Sequence, residues 1–184
     1  MKSQAPHAMR RGRKGERWSP VHCSMWGLVS FNPMANWADI ELAEPHLARR
    51  LRGRFESHPH HVLGTLDASG APRLSGINVF FNEGILWFGS MPHARKAIDL
   101  SRDPRLSLHT ATLSETLDGG DGRVSGVAVP ISSATVSRWR PESPTEGVFF
   151  SVDVLSVHLV EVVDNQLVVT MWDTRHGLRI VKRQ

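Results

Sequence analysis

Two bases, Arg95 and Lys96, stand at the predicted first turn of a helix in the stretch GSMPHARKAIDLSRDPRLSLHT. The helix dipole places partial positive charge at that end, so cations there are mildly unfavourable. A phosphate bound in front of the helix would remove the conflict, because it would accept hydrogen bonds from the first-turn N–H groups and attract both side chains. The alternative is an exposed pair of bases that costs a fraction of a kcal/mol and has no partner.

The neighbouring residues agree with an anion site. Pro92 presets a helical φ just before the helix. The acids Asp99 and Asp103 lie away from the positive end of the helix, where acids would normally be favoured. The residues by themselves leave both interpretations open.

Other candidate sites carry weaker signals. His58, His60 and His61 lie in the run HPHH, but His60 and His61 would point to opposite faces of a strand. Metal ligands must converge on one point, so we expect structural or solvated histidines and no metal site. The run GGDG at 119–122 lacks the helix and lysine of a phosphate-binding loop. No serine stands in the glycine pattern of a nucleophile elbow, so a hydrolase triad is unsupported.

A third candidate lies near the C-terminus, where Trp172 is followed by Arg175 and Gly177. The indole ring could stack beside a ligand, or it could anchor the core. The sequence does not separate the two.

Two helices are predicted before the first strand. A short helical turn follows Asn36, and a second helix begins at Pro45, a residue favoured in a first turn. Three apolar residues four apart form one stripe: Leu47, Leu51 and Phe55. The arginines of that helix face elsewhere, and a solvated face is a better interpretation than a polyanion-binding patch.

After Pro59 the spacing of apolar residues changes from the helical pattern to the alternation typical of strands. HVLGTLD, APRLSGINVFF and ILWFG predict three antiparallel strands, with Gly70 and Gly84 supplying the positive φ of the two turns. A helix over about 94–101 follows. The stretches RLSLHTAT, RVSGVAVPI, GVFFSVDVLSVHLVEVV and QLVVTMW predict the later strands. Six or seven strands with an inserted helix favour an antiparallel barrel, since closure removes exposed edges.

The basic charge is confined to one end of the chain. Residues 1–33 carry six bases and one acid, whereas residues 34–184 carry 16 bases and 17 acids. The first segment lacks periodicity, so we expect a disordered basic tail on a folded domain of 34–184. We expect a variant that begins at Met34, which could be the natural start, to fold and bind like the full chain. No specific nucleic-acid partner is predicted for the nearly neutral domain.

A single cysteine, Cys23, cannot form an internal disulfide, and no apolar run is long enough to cross a bilayer. We therefore expect a cytoplasmic protein, with a secretory signal peptide as the alternative.

The order of these features resembles the pyridoxamine 5'-phosphate oxidase-like superfamily of flavin- and deazaflavin-binding split β-barrels. The resemblance rests on LGTLDASGAPRLSGINVFFNEGILWFGS followed by ARKAIDLSRDPRLSL, within a run from Pro59 to about Pro130. It implies a mainly β fold: a six- to seven-stranded antiparallel split β-barrel with a few short helices.

The resemblance also implies a cofactor site. In the family an arginine early in the second strand and the Arg-Lys pair hold the phosphate of FMN, which here implies Arg73, Arg95 and Lys96. Three strand residues would run along the flavin ring: Leu74, Ser75 and Gly76. Gly89 and Ser90 would lie beside the phosphate or the ribityl chain.

By the same resemblance, the protein is a homodimer with a cofactor between its subunits. We expect an oxidoreductase that uses FMN or a deazaflavin coenzyme to move a hydride to or from a small, planar, conjugated substrate. Trp172 and Arg175 are candidates for the substrate pocket, and no catalytic residue is assigned. The alternative is a non-catalytic split-barrel protein that binds flavin or haem.

Two stretches depart from true pyridoxamine phosphate oxidases. The C-terminal MWDTRHGLRIVKRQ contains only an imperfect form of their Arg-x-His pattern, which makes vitamin B6 oxidation doubtful. The proline-rich SSATVSRWRPESPTEG is short where relatives often carry another helix.

Overall fold

The computed structural model describes residues 34–112, 117, 119–144 and 146–184. The expected basic tail, residues 1–33, lies outside the described residues. The division into a tail and a domain of 34–184 therefore stays a prediction.

Two helices open the described chain, α1 (Trp37–Ala43) and α2 (Pro45–Glu56). Asn36 caps α1, because its side-chain oxygen accepts from the Asp39 N–H at 2.9 Å while the Asp39 carboxylate accepts from the Asn36 N–H at 2.8 Å. This reciprocal pair satisfies two of the donors that a helix start leaves free. The second helix begins at Pro45, as predicted.

The predicted apolar stripe of α2 is buried, with Leu47, Leu51 and Phe55 all in the main core. Two arginines on the helix pair with carboxylates: Arg50 with Glu161 and Arg52 with Glu56. Two of the four arginines in α2 are therefore paired with carboxylates of this chain.

The described residues then form nine strands, all in antiparallel pairs. They are β1 (His61–Leu66), β2 (Pro72–Ile77), β3 (Val79–Asn82), β4 (Ile85–Ser90), β5 (Arg105–His109), β6 (Asp121–Ile131), β7 (Val148–Val163), β8 (Gln166–Asp173) and β9 (Gly177–Arg183). Helix α3 (Arg95–Arg102) lies between β4 and β5, and α4 (Ser133–Trp139) between β6 and β7. The predicted fold class, mainly β with short helices, is confirmed.

The strand order explains why the barrel is split. The sheet runs β2-β1-β5-β6-β7-β4-β3, so β2 and β3 are consecutive in the chain but occupy opposite ends of this path. Asn78 alone separates them. Such a short link requires the sheet to curve until its two ends meet, yet β2 and β3 form no ladder with each other in the described residues. The sheet is therefore not closed, in agreement with the split barrel that the resemblance implies.

The strand count exceeds the six or seven predicted, for two local reasons. The stretch APRLSGINVFF is not one strand, because the ladder to β1 ends at Ile77 and a new ladder to β4 begins at Val79. The C-terminal residues form β9, which pairs with β8 from Gly177 to Arg183. That pairing depends on a hairpin partner, which the local pattern of β9 does not reveal.

The proline-rich stretch after β6 also contains a helix that the sequence analysis left out. Ser132 caps α4 by accepting from the Thr135 N–H at 3.1 Å. The helix buries Val136 in a second, smaller core cluster with Trp87 and Phe149. The expected absence of a helix here is therefore wrong.

The turn between β3 and β4 shows why glycine is needed at one predicted position. Gly84 has φ +72°, and a Cβ there would lie 2.6 Å from the Cβ of Ala38 in α1. The turn can therefore pack against α1 only without a side chain.

Candidate cofactor site

The two bases that opened the sequence analysis are the first two residues of α3. No side chain caps this helix, and its N-cap, Ala94, has none to offer as an acceptor. The side chain of Arg95 is exposed and makes no hydrogen bond or ion pair with any residue that the structure describes. The start of α3 thus combines uncapped N–H groups with an unpaired guanidinium, the arrangement that binds anions.

Lys96 reaches across to the second strand. Its Nζ donates to the Gly76 carbonyl oxygen at 2.6 Å. Partial burial lowers the pKa of the Lys96 ammonium. One of the three ammonium hydrogens is used in this contact, and the others remain for a ligand.

Arg73 is brought to the same helix from β2. Its Nε donates to Asp99 Oδ2 at 2.7 Å, and Asp99 lies one turn beyond Arg95 in α3. We call the group Arg73, Arg95, Lys96 and Asp99 the α3 corner. It contains all three bases that the sequence predicts for a phosphate site.

A cleft of about 650 Å³ reaches the α3 corner at Lys96, while Arg73, Arg95 and Asp99 lie outside its lining. One wall is aromatic: the Phe80 and Trp87 rings lie 4.7 Å apart between centroids, and Phe149 meets Trp87 edge-on at 6.3 Å. Ala94 and Lys96 belong to the lining, so the cleft extends to the start of α3. An apolar wall leading to a cationic end suits a flat ligand with an anionic tail.

A further part of the lining comes from the segment after α4. The Arg140 guanidinium lies over the Phe80 ring at 4.3 Å from its centroid, and its Nε lies 2.8 Å from Glu142 Oε1. Sequence reasoning missed these two residues, because it treated the stretch as a proline-rich connection. The signal available in the sequence was an aromatic residue, Trp139, followed directly by Arg140 and two residues later by Glu142.

The structure distributes the other predicted residues over two places. Gly89 and Ser90 line the cleft, and a Cβ on Gly89 would lie 3.0 Å from the Phe149 ring. Leu74, Ser75 and Gly76 lie on β2 outside the lining of the cleft. Leu74 is 75% exposed, so its side chain faces away from the core.

Trp172 and Arg175 lie at the β8–β9 hairpin and not in the cleft. Trp172 is 6% exposed and belongs to the main core cluster. Arg175 is exposed, and its N–H donates to the Asp173 carboxylate at 3.0 Å. The structure therefore does not bring these two residues to the α3 corner of the same chain.

The carboxylate of Asp173 orders this hairpin. It also accepts from the His176 N–H at 2.8 Å and from Arg179. Burial alone would raise the pKa of Asp173, but hydrogen bonds from His176 and Arg175 outweigh that effect and lower it. We call residues 173–177 the hairpin turn.

His60 and His61 face opposite ways, as expected, whereas the His58 and His60 rings stay close, with 6.0 Å between their centroids. His61 is buried, with Nε2 2.9 Å from the Phe55 carbonyl oxygen and Nδ1 accepting from the Ala111 N–H at 3.3 Å. Burial lowers the pKa of His61. His60 is exposed on the other face. No group of three metal-ligating side chains occurs in the described part of the chain.

Comparison with protein families gives one decisive match. A family model described as pyridoxamine 5'-phosphate oxidase matches residues 47–163, from α2 to the end of β7. The chain belongs to the pyridoxamine 5'-phosphate oxidase family. The match includes β2 and α3, so the α3 corner lies within the family region, whereas the hairpin turn lies beyond it.

Solved structures with the same fold are distant from this chain in sequence. PhzG from Burkholderia lata, in complex with tetrahydrophenazine-1-carboxylic acid, superposes with a TM-score of 0.60 at 14% identity, covering 79% of this chain and 92% of PhzG. General stress protein 26 from Bacillus anthracis gives 0.51 at 18% identity, covering 62% and 93%. HupZ from Group A Streptococcus gives 0.51 at 11% identity, covering 60% and 91%. These likenesses show the fold.

Comparison with curated proteins finds no match. Among the described helices, none has the length and apolar character needed to span a membrane.

Proposed function

We propose that this member of the pyridoxamine 5'-phosphate oxidase family binds FMN or a deazaflavin coenzyme, with the cofactor phosphate at the α3 corner. We further propose that it is an oxidoreductase acting on a small, planar, conjugated substrate. The observation that carries the proposal is the uncapped start of α3, where Arg95 and Lys96 are joined by Arg73 from a neighbouring strand.

The donors of the α3 corner fit a phosphate. Arg95 offers a planar fork, Lys96 offers a point charge, and the helix start offers backbone N–H groups. Arg73 uses Nε for Asp99, and its Nη1 makes no hydrogen bond within the described residues. A phosphate dianion would satisfy these groups at once and reverse the unfavourable contact between the bases and the helix dipole.

The cleft fits a flat ring beside that phosphate. Its volume of about 650 Å³ lies in the ordinary range for small-molecule sites. Phe80, Trp87 and Phe149 form an apolar surface against which a flat ring can pack. Gly89 leaves room for the Phe149 ring at this wall, since a Cβ there would be in tight contact.

This arrangement assigns the chemical step to the cofactor, and binding and orientation to the protein. When bound, the ring of such a cofactor accepts or donates a hydride. The chain binds the phosphate and orients the ring, so it needs no acid–base pair for that transfer. We therefore leave the catalytic residues unassigned.

A homodimer is part of the proposal. Val160, Val169 and Val181 are directly opposite one another on β7, β8 and β9, and Val162 pairs with Leu167 two residues further along the same face. Val162 is 47% exposed. A contiguous aliphatic face of this kind is typical of a protein contact surface, and a second copy is the partner that we propose. Light scattering at micromolar concentration should report twice the chain mass, and a cofactor-loaded monomer would contradict this.

The cofactor can be identified directly. The purified protein should release, on denaturation, a molecule whose mass and absorbance spectrum match FMN or a deazaflavin coenzyme. Release of haem would support the non-catalytic alternative, and failure to bind any of the three after reconstitution would overturn the proposal.

Turnover separates an enzyme from a binding protein. Candidate substrates should change the absorbance of the bound, reduced or oxidised flavin under anaerobic conditions. Conjugated ring acids belong in this screen, since PhzG was crystallised with a molecule of that class. A stable flavin signal with every substrate would favour a storage or sensor role.

A further inference from the structure

The α3 corner contains a carboxylate as well as three bases. Asp99 is 3% exposed, and its Oδ2 accepts from the Thr65 hydroxyl at 3.0 Å and from Arg73 Nε at 2.7 Å. Thr65 and Arg73 are direct partners across the β1–β2 ladder. The carboxylate therefore joins α3 to two adjacent strands at one point.

The second oxygen of Asp99 faces another base. Arg102 Nη1 lies 3.7 Å from Oδ1, and Arg102 also donates through Nη2 to the Leu66 carbonyl oxygen. Arg102 is thereby attached to the end of β1. Arg102 therefore adds positive charge beside the buried carboxylate, and of these two bases it is Arg73 that hydrogen-bonds to it.

A second carboxylate limits the freedom of Arg73. Asp67 Oδ2 lies 3.7 Å from Arg73 Nη2. Asp67 is itself fixed in the β1–β2 turn, because its Oδ1 accepts from the Ser69 N–H at 2.8 Å and the Ser69 hydroxyl at 2.6 Å. The guanidinium is thus restrained on its Nε and Nη2 sides, and Nη1 is the nitrogen left without a partner in the described residues.

This geometry bears on how a phosphate would be bound. A free arginine side chain loses considerable rotamer entropy when it closes on a ligand. An arginine already fixed by a buried carboxylate has lost that freedom before the ligand arrives, so less is lost on binding. Arg95 has no such support, because its side chain makes no hydrogen bond or ion pair with the residues that the structure describes.

We propose that Asp99 is a positioning residue that fixes Arg73 so that its free Nη1 meets the cofactor phosphate. This inference rests on the proposed function. Its competitor is a structural ion pair, in which Arg73 serves only to neutralise a buried carboxylate. The positioning role and the structural ion pair predict different effects of an Asp99 substitution on the affinity for a ligand that lacks a phosphate.

The test compares FMN with riboflavin, which has the same ring and no phosphate. If a deazaflavin coenzyme is the ligand, its phosphate-free core replaces riboflavin. Dissociation constants are measured by titration calorimetry for the parent protein and for Asp99→Asn. We expect Asp99→Asn to weaken FMN binding on the order of tenfold, as for other residues that orient a ligand-binding group, and to leave riboflavin binding unchanged.

The matched control is Asp103→Asn, at the C-cap of the same helix. Asp103 also pairs with an arginine, since Arg105 Nη2 lies 2.6 Å from its Oδ2, but that pair is outside the α3 corner. We expect both of its dissociation constants to stay at the parental value. A double-mutant cycle with Arg73→Ala should show that the effects of Asp99→Asn and Arg73→Ala on FMN binding are not additive.

If Asp99→Asn fails to fold, Thr65→Val provides the second variant, because it removes one hydrogen bond to Asp99 without changing charge. It should weaken FMN binding in the same direction by a smaller factor. Equal losses for FMN and riboflavin, or no loss in a folded variant, would overturn the positioning role while leaving the flavin site intact. A parent protein that binds neither flavin nor deazaflavin would overturn both this inference and the proposed function.

Discussion

The α3 corner and the hairpin turn are both built around a buried carboxylate, but they differ in what remains unsatisfied. At the hairpin turn, the Arg175 and His176 N–H groups, the His176 ring and Arg179 all converge on Asp173. At the α3 corner, Asp99 engages Arg73, yet Arg95 and the start of the helix have no acceptor in the described chain.

On this difference we propose that the α3 corner binds a ligand and that the hairpin turn is a structural charge cluster. A carboxylate whose neighbours all point at it stabilises a turn and has nothing left to offer a ligand. Surplus donors at a helix start are costly unless a ligand or water accepts from them. The surplus of donors, and not the presence of arginine, is what marks the α3 corner.

The largest expected effect is on binding at the α3 corner. Replacing Arg95 and Lys96 together with Ala removes two charge-assisted contacts, which should cost about 3–6 kcal/mol of cofactor affinity. The fold should persist, because Arg95 is exposed and Lys96 has a single hydrogen bond to the Gly76 carbonyl. Calorimetric titration with FMN measures the loss.

A double variant of two exposed bases elsewhere, Arg138→Ala with Lys182→Ala, makes the same change in net charge. Its cofactor affinity should match the parent protein. An equal loss in both double variants would indicate a general charge effect and would remove the distinction between the α3 corner and the rest of the surface.

The next effect concerns stability beside the hairpin turn. Trp172→Ala should lower the free energy of unfolding by about 3–5 kcal/mol, since it deletes a large side chain from the main core. Urea denaturation measures the change, with Trp172→Phe as the milder control. A large loss of cofactor affinity with little loss of stability would instead place Trp172 at a ligand, and the hairpin would then resemble the α3 corner.

A smaller effect is expected in acid. Hydrogen bonds from Ser69 lower the pKa of Asp67, just as those from His176 and Arg175 lower the pKa of Asp173. The unfolded chain binds these protons more readily, so the stability that each carboxylate contributes is present above its ordinary pKa and is lost as pH falls through the lowered folded-state pKa.

Urea midpoints measured from neutral pH down to about pH 3 should therefore fall less steeply for Asp173→Asn than for the parent protein. Asp67→Asn should flatten the profile to a lesser degree, because Asp67 lies in an exposed turn. Identical acid profiles for Asp173→Asn and the parent would show that the hairpin turn does not depend on this carboxylate.

The smallest effect is expected for Arg175→Ala. Its side chain is exposed, and its one hydrogen bond comes from the backbone N–H, so stability should change by no more than about 0.5 kcal/mol. Thermal unfolding tests this, and substrate titration with the same variant tests the separate prediction that Arg175 contacts a substrate. A KM raised without loss of stability would support a ligand-binding role for the hairpin turn.

Local rules were sufficient for much of the fold. Pro45 and the spacing of Leu47 and Leu51 predict α2. Gly84 predicts the β3–β4 turn, because glycine readily adopts the positive φ observed there. Pro92 and the residues after it identify the start of α3 to within one residue. These features could be predicted because each depends on backbone preferences and side-chain periods within a few residues.

Contacts between distant residues could not be predicted in this way. The bond from Arg73 to Asp99 joins residues 26 positions apart. The wall formed by Arg140 requires α4 to pack beside Phe80. Neither leaves a periodic signal, since each depends on how separate elements meet.

The sequence by itself determined that two bases stand at the start of a helix behind a β-hairpin, because helix starts and turns are set by neighbouring residues. Only the tertiary structure decided which bases remain free: it pairs Arg73 with Asp99, directs the donors of the hairpin turn to Asp173, and leaves Arg95 without an acceptor in the described chain. The physical reason is that the packing of strands and helices decides which partners a charged side chain meets, so the same residue type is paired at one site and left unpaired at another.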